Sequence, residues 1–160
     1  MRGENKLEET SESLSFSVMI KCINNVIPFP GNKALTIWPI LFIRKDVRIF
    51  DEEDENHENI HKDQQVETLI VSIVFAVVMF FLGCGWWSLL ILPLYFWIYL
   101  LEFLIRSLCY CSWRAGYKNI STEQEAYQNE SNIEYRKERR RFAWLGYMFK
   151  KTWKDGHWDI

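Results

Sequence analysis

His57-Glu58-Asn59-Ile60-His61 places two of the chain's three histidines four residues apart, with a glutamate between them. On an α-helix, positions i and i+4 lie one above the other, so both imidazoles can reach one ion while Glu58 stands beside them as a base. Neutral imidazole nitrogen binds zinc at about 2.0 to 2.1 Å, and a catalytic zinc keeps three protein ligands and leaves a fourth position to water. The chemistry such a group performs is hydrolysis, and it requires a third ligand from elsewhere in the chain. The preceding run Asp51-Glu52-Glu53-Asp54-Glu55-Asn56 offers a plainer origin for the glutamates, because carboxylates are favoured in the first turn of a helix. It does not account for a histidine pair at spacing four.

The elements that must hold these side chains are unusual. A chain of 160 residues makes one domain at most, yet its apolar residues are concentrated in one block. Between Leu69 and Ile105 the side chains with strong hydrogen-bonding demand are Ser72, Ser88 and Glu102, apart from tyrosine hydroxyls and tryptophan indoles. As one helix that block would be roughly 55 Å long, almost twice the ~30 Å hydrocarbon thickness of a bilayer. Gly83-Cys84-Gly85 marks the break. The pattern predicts a hydrophobic helical hairpin over 66–108, with one helix running from about Asp54 through the histidines to Leu82. A second helix is expected from about Trp86 to Cys109, kinked at Pro93. Trp86 and Trp87 sit at the turn, where amphipathic rings favour a membrane interface. Leu69 to Leu82 is short for a full crossing, so a re-entrant hairpin in one leaflet is the alternative to two crossings.

Membrane lipid is thus the expected partner. Arg44, Lys45, Arg48 and Lys62 precede the hairpin, and Arg106, Arg114, Lys118 and the run Arg136 to Arg141 follow it, while the turn carries no charge. The positive-inside tendency places both termini in the cytoplasm. The net charge of −2 conceals this segregation. No cleavable signal peptide is expected, because Met1 to Ser15 is polar and Phe16 to Ile27 is short and interrupted. Cys22, Cys84, Cys109 and Cys111 lack C-x-x-C spacing and read as free thiols.

Around the hairpin the expected organisation is a disordered segment over 1–15, one membrane-associated domain over 16–149, and a basic aromatic tail over 150–160. Lys33 to Ile43 is β-branched and aromatic with a proline inside, which suits an edge strand, one that could pair with an extended peptide or merely cover apolar surface. Ser112 to Ile120 reads as a connection. A polar helix is expected from Thr122 to Arg141, with Ser121 or Thr122 as N-cap and Gln124 or Glu125 completing a capping box. Phe142 to Lys154 suits an anionic inner leaflet, or a tail packed on the domain, better than nucleic acid.

Two crossings, or one re-entrant loop, return the chain to its starting side, so this later helix is eligible to supply the third ligand. It contains Glu123-Gln124-Glu125-Ala126-Tyr127-Gln128-Asn129-Glu130. With His57 to His61, this segment resembles the gluzincins, the thermolysin-like zinc peptidases in which a second helix supplies a glutamate in an E-x-x-x-D/N or E-x-E-A-D/N context. The resemblance is closer to short bacterial zincin-like membrane proteins bearing H-E-x-I-H-x-x-Q-Q, N-I-S and E-x-E-A-Y-x-N-E. Here these are His57 to Gln65, Asn119-Ile120-Ser121 and Glu123 to Glu130, with Pro39 to Asp46 resembling the preceding strand. It spans roughly Lys33 to Phe149, and this chain departs from it in a longer apolar stretch around Val71 to Trp87.

The resemblance implies a mainly α, zincin-like fold: an HExxH helix continuing into the hairpin, a third-ligand helix after it, and one or two edge strands upstream. It implies zinc on His57, His61 and Glu123, with Glu125 in reserve; the two glutamates point about 200° apart on a helix, so one alone can face the histidines. Glu58 is the implied base. Tyr127, one turn beyond Glu123, could orient a ligand or stabilise an oxyanion, or simply be buried. It further implies a bacterial cytoplasmic membrane location but no substrate; a site at the cytoplasmic membrane surface suggests membrane-associated peptides or a membrane protein.

Two features of the residues bear on this. His57, His61, Gln64 or Gln65, Thr68 and Ser72 recur at helical spacing and form a polar line that should face protein or water rather than lipid. Glu102 falls level with about Val66 on antiparallel counting, so it could orient a histidine, or instead pair with Arg106 one turn on. The expected function is a membrane-embedded zinc-dependent metallopeptidase. Its rival is a non-catalytic membrane protein with a structural or vestigial zinc site, which would have no need of Glu58.

Overall fold

Asp51 starts the element that carries the histidines. Its carboxylate accepts a hydrogen bond from the Asp54 backbone N–H at 2.9 Å, and Asp54 Oδ2 accepts from the Asp51 N–H at 3.4 Å, a capping box reinforced by four acids in the first turn. Helix α1 then runs Glu52–Met79, 28 residues. The structure is a computed structural model that describes residues 19–28, 31–47, 49–150, 153–154 and 157–158. The segment 1–15, expected to be disordered, lies outside the described residues.

The hairpin turn falls where the glycines are. A π-turn over Phe80–Cys84 leads into Gly83 at φ 97° and Gly85 at φ 53°, values that a residue with a Cβ adopts only under strain. The chain returns along α1 as a 3-10 segment, Gly85–Ile91, and Ser72 Oγ donates to the Leu92 carbonyl at 3.3 Å. Helix α2 follows, Leu94–Tyr110. The expected second helix is therefore two pieces, because Pro93 starts a new helix instead of kinking a continuous one. The helical run Glu52–Ile91 is long and apolar enough to cross a membrane. Its tip is bare: Phe81, Trp86 and Trp87 are 82%, 78% and 79% exposed, an apolar surface suited to lipid and costly in water.

The strand expected over Lys33 to Ile43 is two strands. β2, Ala34–Ile37, and β3, Ile40–Arg44, pair antiparallel around Trp38 and Pro39, so the proline sits in the turn where no ladder donor is needed. A third strand, β1, Ile20–Asn24, pairs parallel with β3, giving the order β1-β3-β2. β3 is central, and β2 is the edge lying against α1: Gln65 donates to the Thr36 carbonyl at 2.8 Å and accepts from the Trp38 N–H at 2.9 Å.

After the hairpin, the expected connection over Ser112 to Ile120 contains helix α3, Trp113–Lys118. Gly116 lets it press against α2, since an added Cβ would meet the Ser107 backbone at 2.7 Å. The polar helix expected over Thr122 to Arg141 is shorter: α4 covers Ser121–Asn129, and a turn leads to the four-residue α5, Tyr135–Glu138. Its N-cap is Ile120, with no side-chain cap of its own. Glu102 takes over that task from α2, its carboxylate accepting from the Ser121 N–H at 3.0 Å and from Ser121 Oγ at 2.6 Å. Glu102 also pairs with Arg106, as the sequence allowed.

The aromatic segment after Arg141 packs on the domain. A 3-10 turn, Ala143–Tyr147, buries Trp144 against α4, and Arg106 donates to the carbonyls of Met148 and Lys150. In the tail over 150–160, Trp153–Lys154 and His157–Trp158 form a two-stranded antiparallel pair, β4 and β5. The fold is thus mainly helical with a small three-stranded sheet, and its interior is polar: Gln64, Asn119, Gln124 and Glu125 are as completely buried as Leu41 and Ile60.

Candidate metal centre

α1 and α4 cross so that three side chains separated by the whole hairpin meet. His57 Nε2 and His61 Nε2 lie 3.1 Å apart. Glu123 Oε2 is 3.7 Å from His57 Nε2, and Glu123 Oε1 is 3.4 Å from His61 Nε2. A four-coordinate ion with bonds of about 2.0 to 2.2 Å holds its donors roughly 3.3 to 3.6 Å apart, and the three residues present one ligand atom each within 4.8 Å of one another, a convergence slightly looser than a loaded site. The three residues are buried and form a group that could hold a metal ion. Glu125, the reserve, faces away and is engaged by Arg139, Tyr135 and Gln64.

Two features of the donor set fit a cation. Glu123 Oε2 is buried with no hydrogen-bond partner, a costly arrangement for a carboxylate oxygen that an ion would relieve. The histidine nitrogens also face each other, so without an ion a proton must lie between them. Burial alone would raise the Glu123 carboxyl, but the neighbouring charges of His61 and His57 hold it well below the usual carboxylate range. It is therefore a ready anionic ligand.

The outer nitrogens explain why the inner ones converge. His57 Nδ1 lies 2.8 Å from Glu130 Oε2, and His61 Nδ1 lies 2.9 Å from Gln64 Oε1. Both partners present acceptor oxygens, which fixes the proton on each Nδ1 and leaves Nε2 free to ligate. Gln64 is itself fixed: its amide donates to Glu125 Oε2 at 3.0 Å and to the Thr122 carbonyl at 3.1 Å, and Tyr95 OH donates to its oxygen at 3.2 Å. Glu125 is clamped by Arg139, which also grips Glu67 on α1. Tyr99 OH donates to Glu123 Oε1 at 2.9 Å, orienting the third carboxylate.

Glu58 lies in the same pocket, its Oε2 accepting from Thr36 Oγ1 at 2.7 Å. The β2 strand thereby orients the Glu58 carboxylate. Tyr127 packs its ring edge-on to His57 at 4.5 Å between centroids, with Lys118 Nζ 3.1 Å above that ring. It is a wall of the His57 side of the site. The polar line on α1 is buried throughout, at His57, His61, Gln64, Gln65, Thr68 and Ser72.

Sequence reasoning missed Glu130, Thr36, Tyr95, Tyr99 and Arg139. A signal existed for Glu130 alone: it stands seven residues after Glu123, two helical turns along the same face. The others come from separate elements, and no spacing in the chain links them to the histidines. Comparison with family models, curated proteins and solved structures returned no match for this chain.

Proposed function

We propose that this protein is a membrane-embedded, zinc-dependent metallopeptidase of the gluzincin type. The observation that carries this reading is the convergence of His57, His61 and Glu123 in a pocket that also contains Glu58. A structural site has no need of a base; here a buried carboxylate stands beside the donors, aimed by a hydrogen bond from a neighbouring strand. Two imidazoles and a carboxylate suit zinc.

Bound zinc would supply Lewis acidity, polarising a scissile carbonyl and making water acidic enough to attack it. Glu58 takes the proton from the attacking water and later gives it to the leaving amine. Glu130 and Gln64 hold the histidine rings in register, and Tyr99 holds Glu123. Tyr127 fixes the His57 edge of the cleft. On the β2 edge, the register with β3 and the contacts to Gln65 leave the Ala34 backbone turned toward the pocket, where it could pair with an extended substrate.

The exposed apolar hairpin and the basic residues around it support insertion in a bacterial cytoplasmic membrane with both termini in the cytoplasm. The decisive test is metal analysis of the purified protein together with peptide hydrolysis before and after chelation. Zinc at one per chain and chelator-sensitive hydrolysis restored by zinc are expected. A protein that binds no zinc, or hydrolyses peptides equally in chelator, would exclude the proposal.

A further inference from the structure

Two clefts meet at the metal centre, and they differ in character. One, of about 270 Å³, is lined by Leu35, Tyr95, Phe96 and Tyr99 and reaches His57, Glu58, His61 and Glu123. The other, of about 290 Å³, is lined by Lys33, Asp54, Glu130 and Tyr127 and reaches His57 and Glu58. The two adjoin along Asn32, Ala34, Tyr117, His57 and Glu58, which line both. The first cleft is walled largely by apolar and aromatic side chains, and the second by charged ones.

The apolar mouth is continuous with the surface that faces lipid. α2 turns Tyr95, Tyr99, Glu102 and Arg106 inward, one helical turn apart, while its other face exposes Phe96, Trp97, Leu100, Leu101, Leu104 and Ile105. Phe96 is on that outer stripe and in the pocket wall at once; it is 40% exposed, and Leu35 across the mouth on β2 is 38% exposed. The first helix sets the depth: His61 lies eight residues, about 12 Å, before the apolar run that begins at Leu69, so the mouth sits near one face of the hydrocarbon. Tyr95 on α2 touches His61 and Gln64 at that level.

We infer that the substrate of this site is a peptide segment lodged in the bilayer, which enters laterally between β2 and α2 past Leu35 and Phe96, while water reaches Glu58 through the charged cleft. This rests on the peptidase reading for what happens to the segment, and on the geometry alone for how it arrives. A water-borne peptide would have to pass the charged cleft, where Lys33 and Asp54 form a 2.7 Å ion pair across its wall. A bilayer segment meets apolar surface all the way to the donors. Dividing the two routes keeps the base hydrated while the scissile bond lies in a low-dielectric wall, where charge stabilisation is strongest.

The test uses the full chain, zinc-loaded, in phosphatidylcholine–phosphatidylglycerol vesicles, with the native cysteines replaced and single cysteines introduced. Nitroxides at F96C and K33C report accessibility to lipid-soluble oxygen and to a water-soluble nickel chelate. Oxygen should relax the label at 96 and the chelate the label at 33; a label at 96 relaxed by the chelate as strongly as at 33 overturns the lateral mouth. A bimane at L35C in the Glu58→Gln background then reports binding of a quencher-bearing Leu/Ala peptide of about 20 residues, long enough to span the hydrocarbon. Loss of bimane emission with this peptide, and none with a water-borne Gly/Ser peptide of equal length carrying the same quencher, is expected. Quenching by the water-borne peptide alone or equally overturns the inference. If both readouts hold and the zinc-loaded chain with Glu58 intact hydrolyses neither peptide, the peptidase reading falls and the lateral mouth stands.

Discussion

His57 Nδ1 and Glu130 Oε2 are 2.8 Å apart, a contact between residues 73 positions apart that closes the metal centre on its charged side. Because the carboxylate accepts the Nδ1 proton, it directs the Nε2 lone pair inward and makes the ring a better donor. Glu130→Ala should therefore weaken zinc affinity by about 10- to 100-fold without removing a ligand. Competition with a chromophoric chelator would measure this. An affinity equal to that of the unaltered protein would show that the contact is incidental.

Zinc must displace the proton shared by the facing nitrogens of His57 and His61, so its affinity should rise with pH, about tenfold per unit for each proton released. Glu123 adds no proton in this range. Its folded pKa is depressed, so its charge is present above the ordinary carboxylate value of about 4.3 and is lost only as pH falls through the lower folded value. Calorimetric titration in buffers of different ionisation enthalpy should show proton release at neutral pH. A binding heat independent of the buffer would contradict the shared proton.

Glu58→Gln preserves size and the hydrogen bond from Thr36 but removes the base. Hydrolysis should drop by at least about 10²- to 10⁴-fold while zinc content stays at the level of the unaltered protein. Parallel metal analysis and turnover assays separate the two, and undiminished turnover would assign the base elsewhere.

Gly116→Val should destabilise the contact of α3 with α2, because its Cβ would overlap the Ser107 backbone, which cannot rotate aside as a side chain can. Overpacking of this kind costs about 1 to 3 kcal/mol, occasionally more. Thermal unfolding in detergent micelles would register it as a lowered midpoint, and an unchanged midpoint would mean the two helices separate without cost.

The parts of the centre that one element supplies were legible in the sequence. The histidine pair, Glu58 and the polar line are set by helical period, and the hairpin by an apolar block with glycines at its middle. Glu123 came from a resemblance, not from spacing. What stayed hidden depends on how elements cross. The level of α2 against α1 was misjudged because the return is not one straight helix: Pro93 divides it into a 3-10 piece and a new helix, so antiparallel counting fails and Tyr95 and Tyr99, not Glu102, sit beside the donors. Glu102 instead caps α4, a role visible only once Ser121 is placed next to it. The single strand predicted around Pro39 became a hairpin because proline favours turns, and β1 has no periodicity strong enough to announce it.

The clamp of Arg139 on Glu125 and Glu67 has a bearing on biosynthesis. The chain that tethers Gln64, and through it His61, is complete only when residue 139 has been made, 78 positions after His61. A growing chain thus carries the two histidines and Glu58 before it has either Glu123 or the brace that aligns His61. The order of synthesis itself delays assembly of the group until its last element has been added.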